Sequence, residues 1–173
     1  DVGSEVGSEV GSGVGPGVGP GAGSGLGSGF GSVALDRAAR PDHVDLFAIP
    51  LAEGASVDPR WWAIQVFSIG AMPRWVRGLF GVRRMLVPLI GLDPAPGDVF
   101  SVREVVGDEA LIIAEDRHLD FWCAVGVDPA SRLLRITTVV TLHGWRGRAY
   151  WAVVQFFHGP VVTSMLRRAV RAA

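Results

Sequence analysis

Three side chains in the last quarter of the chain have the types and the spacing to handle a ligand. Trp151, Gln155 and His158 lie at steps of four and three residues, so a helix puts them on one stripe of an otherwise apolar segment. Turned towards a cavity, that stripe supplies an aromatic wall and two polar groups to orient a mostly hydrophobic molecule. Turned outward, it is the wet side of the helix, with His158 free to bond a backbone carbonyl. Tyr150, the sole tyrosine, opens the same segment, either to donate its hydroxyl into a pocket or to bury its ring with the hydroxyl bonded.

A second group clusters at a predicted turn, where Arg117 and His118 stand beside Glu115, Asp116 and Asp120. A histidine flanked by carboxylates gains basicity and can serve as an acid or base. The same residues equally describe a solvated turn held by an arginine–carboxylate pair. A register that sets His118 across from His143, with Asp120 on the same face, would bring two imidazoles together, too few to assign a metal. Thr138, the one polar residue on the apolar face of its predicted strand, and Trp75, near the start of a predicted helix, complete the candidate lining. Cys123 lies in an apolar strand and reads as a small buried hydrophobe, and a single cysteine excludes an intramolecular disulfide. No Ser-His-Asp order, phosphate-binding loop or His-Glu-x-x-His occurs, so hydrolase-triad, nucleotide and zinc-protease readings lack support and no cofactor is implied.

Whatever these residues do, one domain must hold them. From Val2 to Phe30 an apolar residue recurs every fourth position, each followed by glycine, and 13 of the 24 glycines fall in residues 1–32. Glycine at this density makes ordering entropically costly, so the tail is expected to be a flexible, elastin-like linker, and its Gly-x-x-Gly spacings carry no dinucleotide-binding meaning. Residues 33–173 are then the folded domain, rich enough in apolar groups for a core. The net charge is -1, and all sixteen basic residues are arginines. Neither this balance nor the near-neutral remainder argues for nucleic acid. The longest apolar run, residues 149–162, is interrupted by Gln155, His158, Gly159 and Pro160 and is shorter than the ~20 residues that span a bilayer. A reducing, cytoplasmic location fits the lone cysteine; a removed leader or a longer parent chain fits the absence of an initiator methionine.

Residues 44–49 alternate as a strand. Asp58-Pro59 provides an N-cap and a first-position proline for a helix reaching Gly70, and Pro73 restarts one whose stripe is Trp75, Leu79, Val82 and Leu86. Strands follow at 99–106, 109–115, 118–127 and 132–142, the last two joined by the turn Asp128-Pro129-Ala130-Ser131. Their period places Leu119, Phe121, Cys123, Val125 and Val127 on one face with Leu134, Ile136, Thr138, Val140 and Leu142. From Gly147 the pattern is helical to the end, with a kink or restart expected at Gly159-Pro160. The fold class is α+β.

That order, with Pro73-x-Trp75-Val76 and Arg83, Asp116-Arg117-His118-Leu119-Asp120-Phe121, and Gly147-Arg148-x-Tyr150-Trp151 leading to Phe157-His158, resembles a bacterial branch of the START-like (SRPBCC, helix-grip) superfamily. Members of that branch have no assigned function, and similar domains occur fused behind NAD(P)-binding epimerase-like domains. The resemblance covers residues 42–171 and implies a curved antiparallel sheet gripping the C-terminal helix over a cavity for a lipid-, polyketide- or aromatic-like molecule. Trp122 departs from it, since a polar or basic residue is expected on an outward strand face. The expected function is binding of a small hydrophobic ligand by His158, Gln155, Trp151, Tyr150, Thr138, Arg117 and Trp75. Two alternatives stay open: an enzyme of the same fold, a cyclase, dehydratase or hydrolase using His158 or the Arg117, His118 and Asp120 group, and a protein-interaction module on a flexible tail. Oligomeric state is not legible.

Overall fold

The structure, a computed structural model, describes residues 31–68, 72–78 and 100–173. The repeat tail, Leu79, Val82, Arg83 and Leu86 lie outside the described residues. Along the chain come α1 (Val33–Arg37), β1 (His43–Pro50), α2 (Pro59–Phe67) and a helical turn over residues 74–78 (α3). β2 (Val102–Val106), β3 (Glu109–Glu115), β4 (Leu119–Asp128), β5 (Leu133–Leu142) and the 29-residue α4 (Gly144–Ala172) follow. The five strands form one antiparallel, curved sheet in the order β1-β5-β4-β3-β2, which with α4 gives the expected α+β arrangement. No helix among the described residues is long and apolar enough to cross a membrane.

Local chemistry explains the boundaries. Asp58 accepts the Arg60 amide at 2.8 Å and Pro59 begins α2, as cap and first-turn proline should. Asp128 Oδ1 accepts the amides of Ala130 and Ser131, and Arg132 takes a φ of 51° to close the β4–β5 turn. That turn sets a register in which Cys123 faces Thr138 and Leu119 faces Leu142, so the apolar face read from the periodicity is the inner one. The principal core lies there: Ile112, Cys123, Val125, Leu134 and Ile136 pack with Trp62 and Val66 of α2 and with Met165, Leu166 and Ala169 of α4. Val76 of α3 belongs to this core, whereas Trp75 is 47% exposed, which corrects its expected place on the buried stripe. Of its described residues Val76 is the one that is fully buried.

The opposite face is also covered. Ala34 of α1 packs with Leu111, Trp122, Ala124 and Val139, so the tryptophan that looked out of place on an outward strand face has a cover of its own. A latch holds α1 down. The nearly fully buried Glu109 carboxylate accepts Ser32 Oγ at 3.0 Å and the Val33 amide at 2.7 Å, with Arg135 at 3.5 Å, and Arg37 pairs with Glu104. Such charge-assisted bonds at a helix start offset the loss of carboxylate hydration. Gly126 makes room for this arrangement, since a Cβ there would lie 2.7 Å from Arg135 Nε.

α4 runs through Gly159-Pro160 as a single helix instead of restarting. Pro160 removes one backbone hydrogen bond, but buried residues on both sides of it, Trp151 before and Val162, Met165 and Leu166 after, bind both halves to the same sheet. The helix start is fixed by contact. A methyl group on Gly147 would overlap the carbonyl oxygen of His118, the same oxygen that accepts the His143 amide at 2.7 Å. The two sequence signatures, Asp116–Phe121 and Gly147–Trp151, therefore meet in space at this one peptide. Gly147→Ala should lower the melting temperature, by the few degrees that an overpacking penalty of ~1–3 kcal/mol implies. Alanine favours a helix over glycine by about 1 kcal/mol, so a rise in melting temperature on thermal unfolding would contradict the close approach.

Candidate functional site

β1 is an edge strand with apolar residues on both faces. Val44 and Leu46 are exposed, and His43, Asp45, Phe47 and Ile49 face the sheet interior under α4. Asp45 pairs in register with Thr138, which in turn pairs with Cys123, so a carboxylate, a hydroxyl and a thiol line up across three adjacent strands. Cys123 belongs to the core that α4 closes with Val162, Met165 and Leu166.

His158 on α4 meets Asp45 there. Its Nε2 lies 2.9 Å from Asp45 Oδ2, an ion-pair contact off the line of a well-formed hydrogen bond, and the side chains are only 14% and 17% exposed. His43 Nε2 approaches the same oxygen, also at 2.9 Å, with hydrogen-bond geometry. A carboxylate only accepts, so in the hydrogen bond with His43 the ring donates its Nε2–H. Trp151 encloses the pair, its ring 4.8 Å from His43 and 5.7 Å from His158, and Phe47 stands 6.4 Å from His158 on the other side. Burial alone would raise the Asp45 pKa, but the adjoining His158 and His43 outweigh it and hold the carboxyl below its ordinary range. Asp45 Oδ1 is buried with no hydrogen-bond partner among the described residues. An acceptor left in that condition costs about 1–3 kcal/mol and is satisfied by any ligand bringing an O–H or N–H.

The predicted residues divide around this knot. His158 and Trp151 are in it. Thr138 is buried one strand away, its hydroxyl against the Cys123 thiol. Gln155 is exposed, its amide donating to the Ala152 carbonyl of its own helix, so the stripe splits: the helix covers the sheet edge at Trp151 and His158 and leaves Gln155 on its flank. Tyr150 is half-buried beside Trp151. Trp75 is exposed on α3. His43 and Asp45 are absent from the predicted set; the signal for them was two ionisable residues at i and i+2 on an alternating strand.

Arg117, His118 and Asp120 form a separate group at the start of β4. The expected register holds: Asp120 pairs with Thr141, His143 and His118 face each other one step beyond the ladder, and His143 Nε2 lies 2.8 Å from Asp120 Oδ2. Arg117, His118, His143, Gly144, Trp145 and Arg146 line an open cleft of about 340 Å³. Asp116 Oδ1 takes the Arg117 amide at 2.6 Å, as in a tight turn. Among the described residues no group of three or more His, Cys, Asp or Glu is placed to hold a metal ion. Trp145, Val153, Phe156 and Phe157 leave the outer side of α4 apolar, Phe156 being 74% exposed.

The sequence model of one family matches residues 37–165, and that family is described as a protein of unknown function (DUF2867). No curated protein and no solved structure matches.

Two outcomes test this geometry. Because the Asp45 pKa is depressed, the stability it contributes is present above the unfolded value of about 4 and is lost as pH falls through the folded value. The acid-induced drop in melting temperature below pH ~4 should be shallower in Asp45→Asn than in the unmodified chain; superimposable slopes would contradict the pairing. Burial and the nearby Asp45 charge push the Cys123 thiol far above its ordinary pKa. Cys123 should resist a thiol reagent such as dithiobisnitrobenzoate at pH 8 in the native protein and react at once in denaturant, and rapid native labelling would contradict the packing.

Proposed function

We infer that this chain, which belongs to the DUF2867 family, binds a small and mainly hydrophobic molecule between the inner face of its sheet and α4. The ligand carries a hydroxyl or N–H that bonds Asp45. One observation carries the reading: a buried carboxylate, held by two imidazoles inside an aromatic enclosure, keeps a second oxygen without a partner. Ligand sites commonly combine an apolar wall with one or two orienting polar groups, and Trp151 and Phe47 supply the wall here. The order of strands and the gripped helix support placing the chain in the START-like superfamily. The lone buried cysteine is in keeping with a cytoplasmic setting.

A second reading, a START-like enzyme acting at the same place, is favoured by the Asp45 and His158 contact, since an imidazole oriented by a carboxylate can move a proton at a bound hydroxyl or carbonyl. It takes the same class of ligand and adds turnover.

Thermal shift and calorimetry separate these from no binding at all. 2-Naphthol should raise the melting temperature more than 2-methoxynaphthalene, which has the same ring but no donor. Asp45→Asn should reduce that difference by about tenfold in affinity, the loss expected for one charge-assisted hydrogen bond. Native mass spectrometry of protein taken from its own cells should show an adduct. No adduct, and no shift with these or with a panel of fatty alcohols and aromatic polyketides, would overturn both readings.

A further inference from the structure

A second feature lies near the other end of α4. Ser164, Arg167, Arg168 and Arg171, with Pro73 and Ala172, line an open cleft of about 490 Å³. Among the described residues no carboxylate side chain lines it. The three guanidiniums have no ion pair among the described residues, and all three arginines are exposed. Ser164, Arg168 and Arg171 stand at i, i+4 and i+7, one stripe of the helix, and Arg167 stands four residues before Arg171. Like charges at that spacing repel, so the cluster works against the helix it belongs to until an anion enters. The negative end of the helix dipole offsets only about half a charge of the three. Arg74 and Arg77, both exposed, stand one and four residues after Pro73. The chain as a whole carries a net charge of -1, so this is a local concentration of positive charge on a protein that is not basic.

We propose that this cleft binds a phosphate group. Arginine forks match phosphate oxygens two at a time, and Ser164 adds a hydroxyl donor to the same stripe. The volume exceeds that of inorganic phosphate and leaves room for a diphosphate or a phospholipid headgroup. The lipid source is the better fit, because Trp75, two residues from the cleft-lining Pro73, exposes 47% of its surface beside Arg74, the pairing of aromatic and cationic groups that settles at a membrane–water boundary. The site is distinct from the Asp45 knot, since Arg168 lies ten residues from His158, about 15 Å along the helix.

The full chain is tested with two probes in low salt: vesicles of phosphatidylcholine with 30% phosphatidylglycerol by co-sedimentation, and inorganic pyrophosphate by calorimetry. Binding to either probe should fall at least about tenfold in Arg168→Ala/Arg171→Ala and weaken steeply with added salt. It should persist in Arg60→Ala/Arg103→Ala, which removes the same charge from exposed positions outside the cleft. Vesicle binding assigns the phosphate to a lipid headgroup and pyrophosphate binding to a soluble ligand. Binding of neither probe, or equal losses in the two double variants, overturns the proposal. Circular dichroism checks that both variants fold, as substitutions of exposed side chains allow.

Discussion

The close approach of α4 to the end of β4 is the constraint from which the rest of the arrangement follows. Gly147 lies against the carbonyl of His118, and that carbonyl also receives the His143 amide. One peptide oxygen thus fixes both the end of the β4–β5 ladder and the start of the helix. With its start pinned, a helix rising 1.5 Å per residue has little freedom over where its later turns fall. Trp151 arrives over His43 one turn on, His158 over Asp45 after two more, and Met165 and Leu166 over the apolar centre of the sheet. A side chain at 147 would lift the helix at its root and misplace all of them.

The Asp45 knot is costly by ordinary standards of packing. A carboxylate largely withdrawn from water is retained only where partners replace its hydration, and two imidazoles on one oxygen do so for half of it. That the fold places two histidines, an aspartate and a tryptophan around one point, on an edge strand whose neighbouring valine and leucine are left in solvent, is what separates the site from generic core. Glu109 is a second buried carboxylate with one oxygen that makes no hydrogen bond: its Oε2 accepts from Ser32 and Val33, while Oε1 only faces Arg135 at 3.5 Å. What sets Asp45 apart is its setting of two imidazoles and a tryptophan ring.

Much of the frame was legible in the residues. The strand periodicities, the Asp58 cap and the Asp128 turn are local signals, and with the turn placed the inner faces of β4 and β5 followed; the meeting of His118 with His143 was one register among those the turn allowed. The faces of β1 were not legible, because both carry apolar residues: Val44 and Leu46 on one, Phe47 and Ile49 beside Asp45 on the other. Packing of Phe47 and Ile49 on the core and the meeting of Asp45 with His158, more than a hundred residues away, decide which face turns inward. Gln155 failed for a related reason: helical spacing gives a stripe, and the width of the sheet beneath it decides how much of the stripe is covered. α1 escaped notice because five residues hold too little periodicity to register, and Trp122 then looked anomalous for want of its cover. Pro160 suggested a break that burial on both flanks overrides.

The position of α1 has a consequence for where the folding unit begins. β1 is the first strand, and a boundary drawn from strands and long helices would start the domain near residue 42. Ser32 and Val33 nevertheless supply hydrogen bonds to the buried Glu109, and Ala34 shields Trp122. A chain started at the first strand would present a tryptophan-centred apolar face and a half-bonded buried carboxylate to water, conditions that favour self-association. The short helix at the edge of the repeat is therefore an integral part of the domain, and the sheet has two dry faces only while it stays attached.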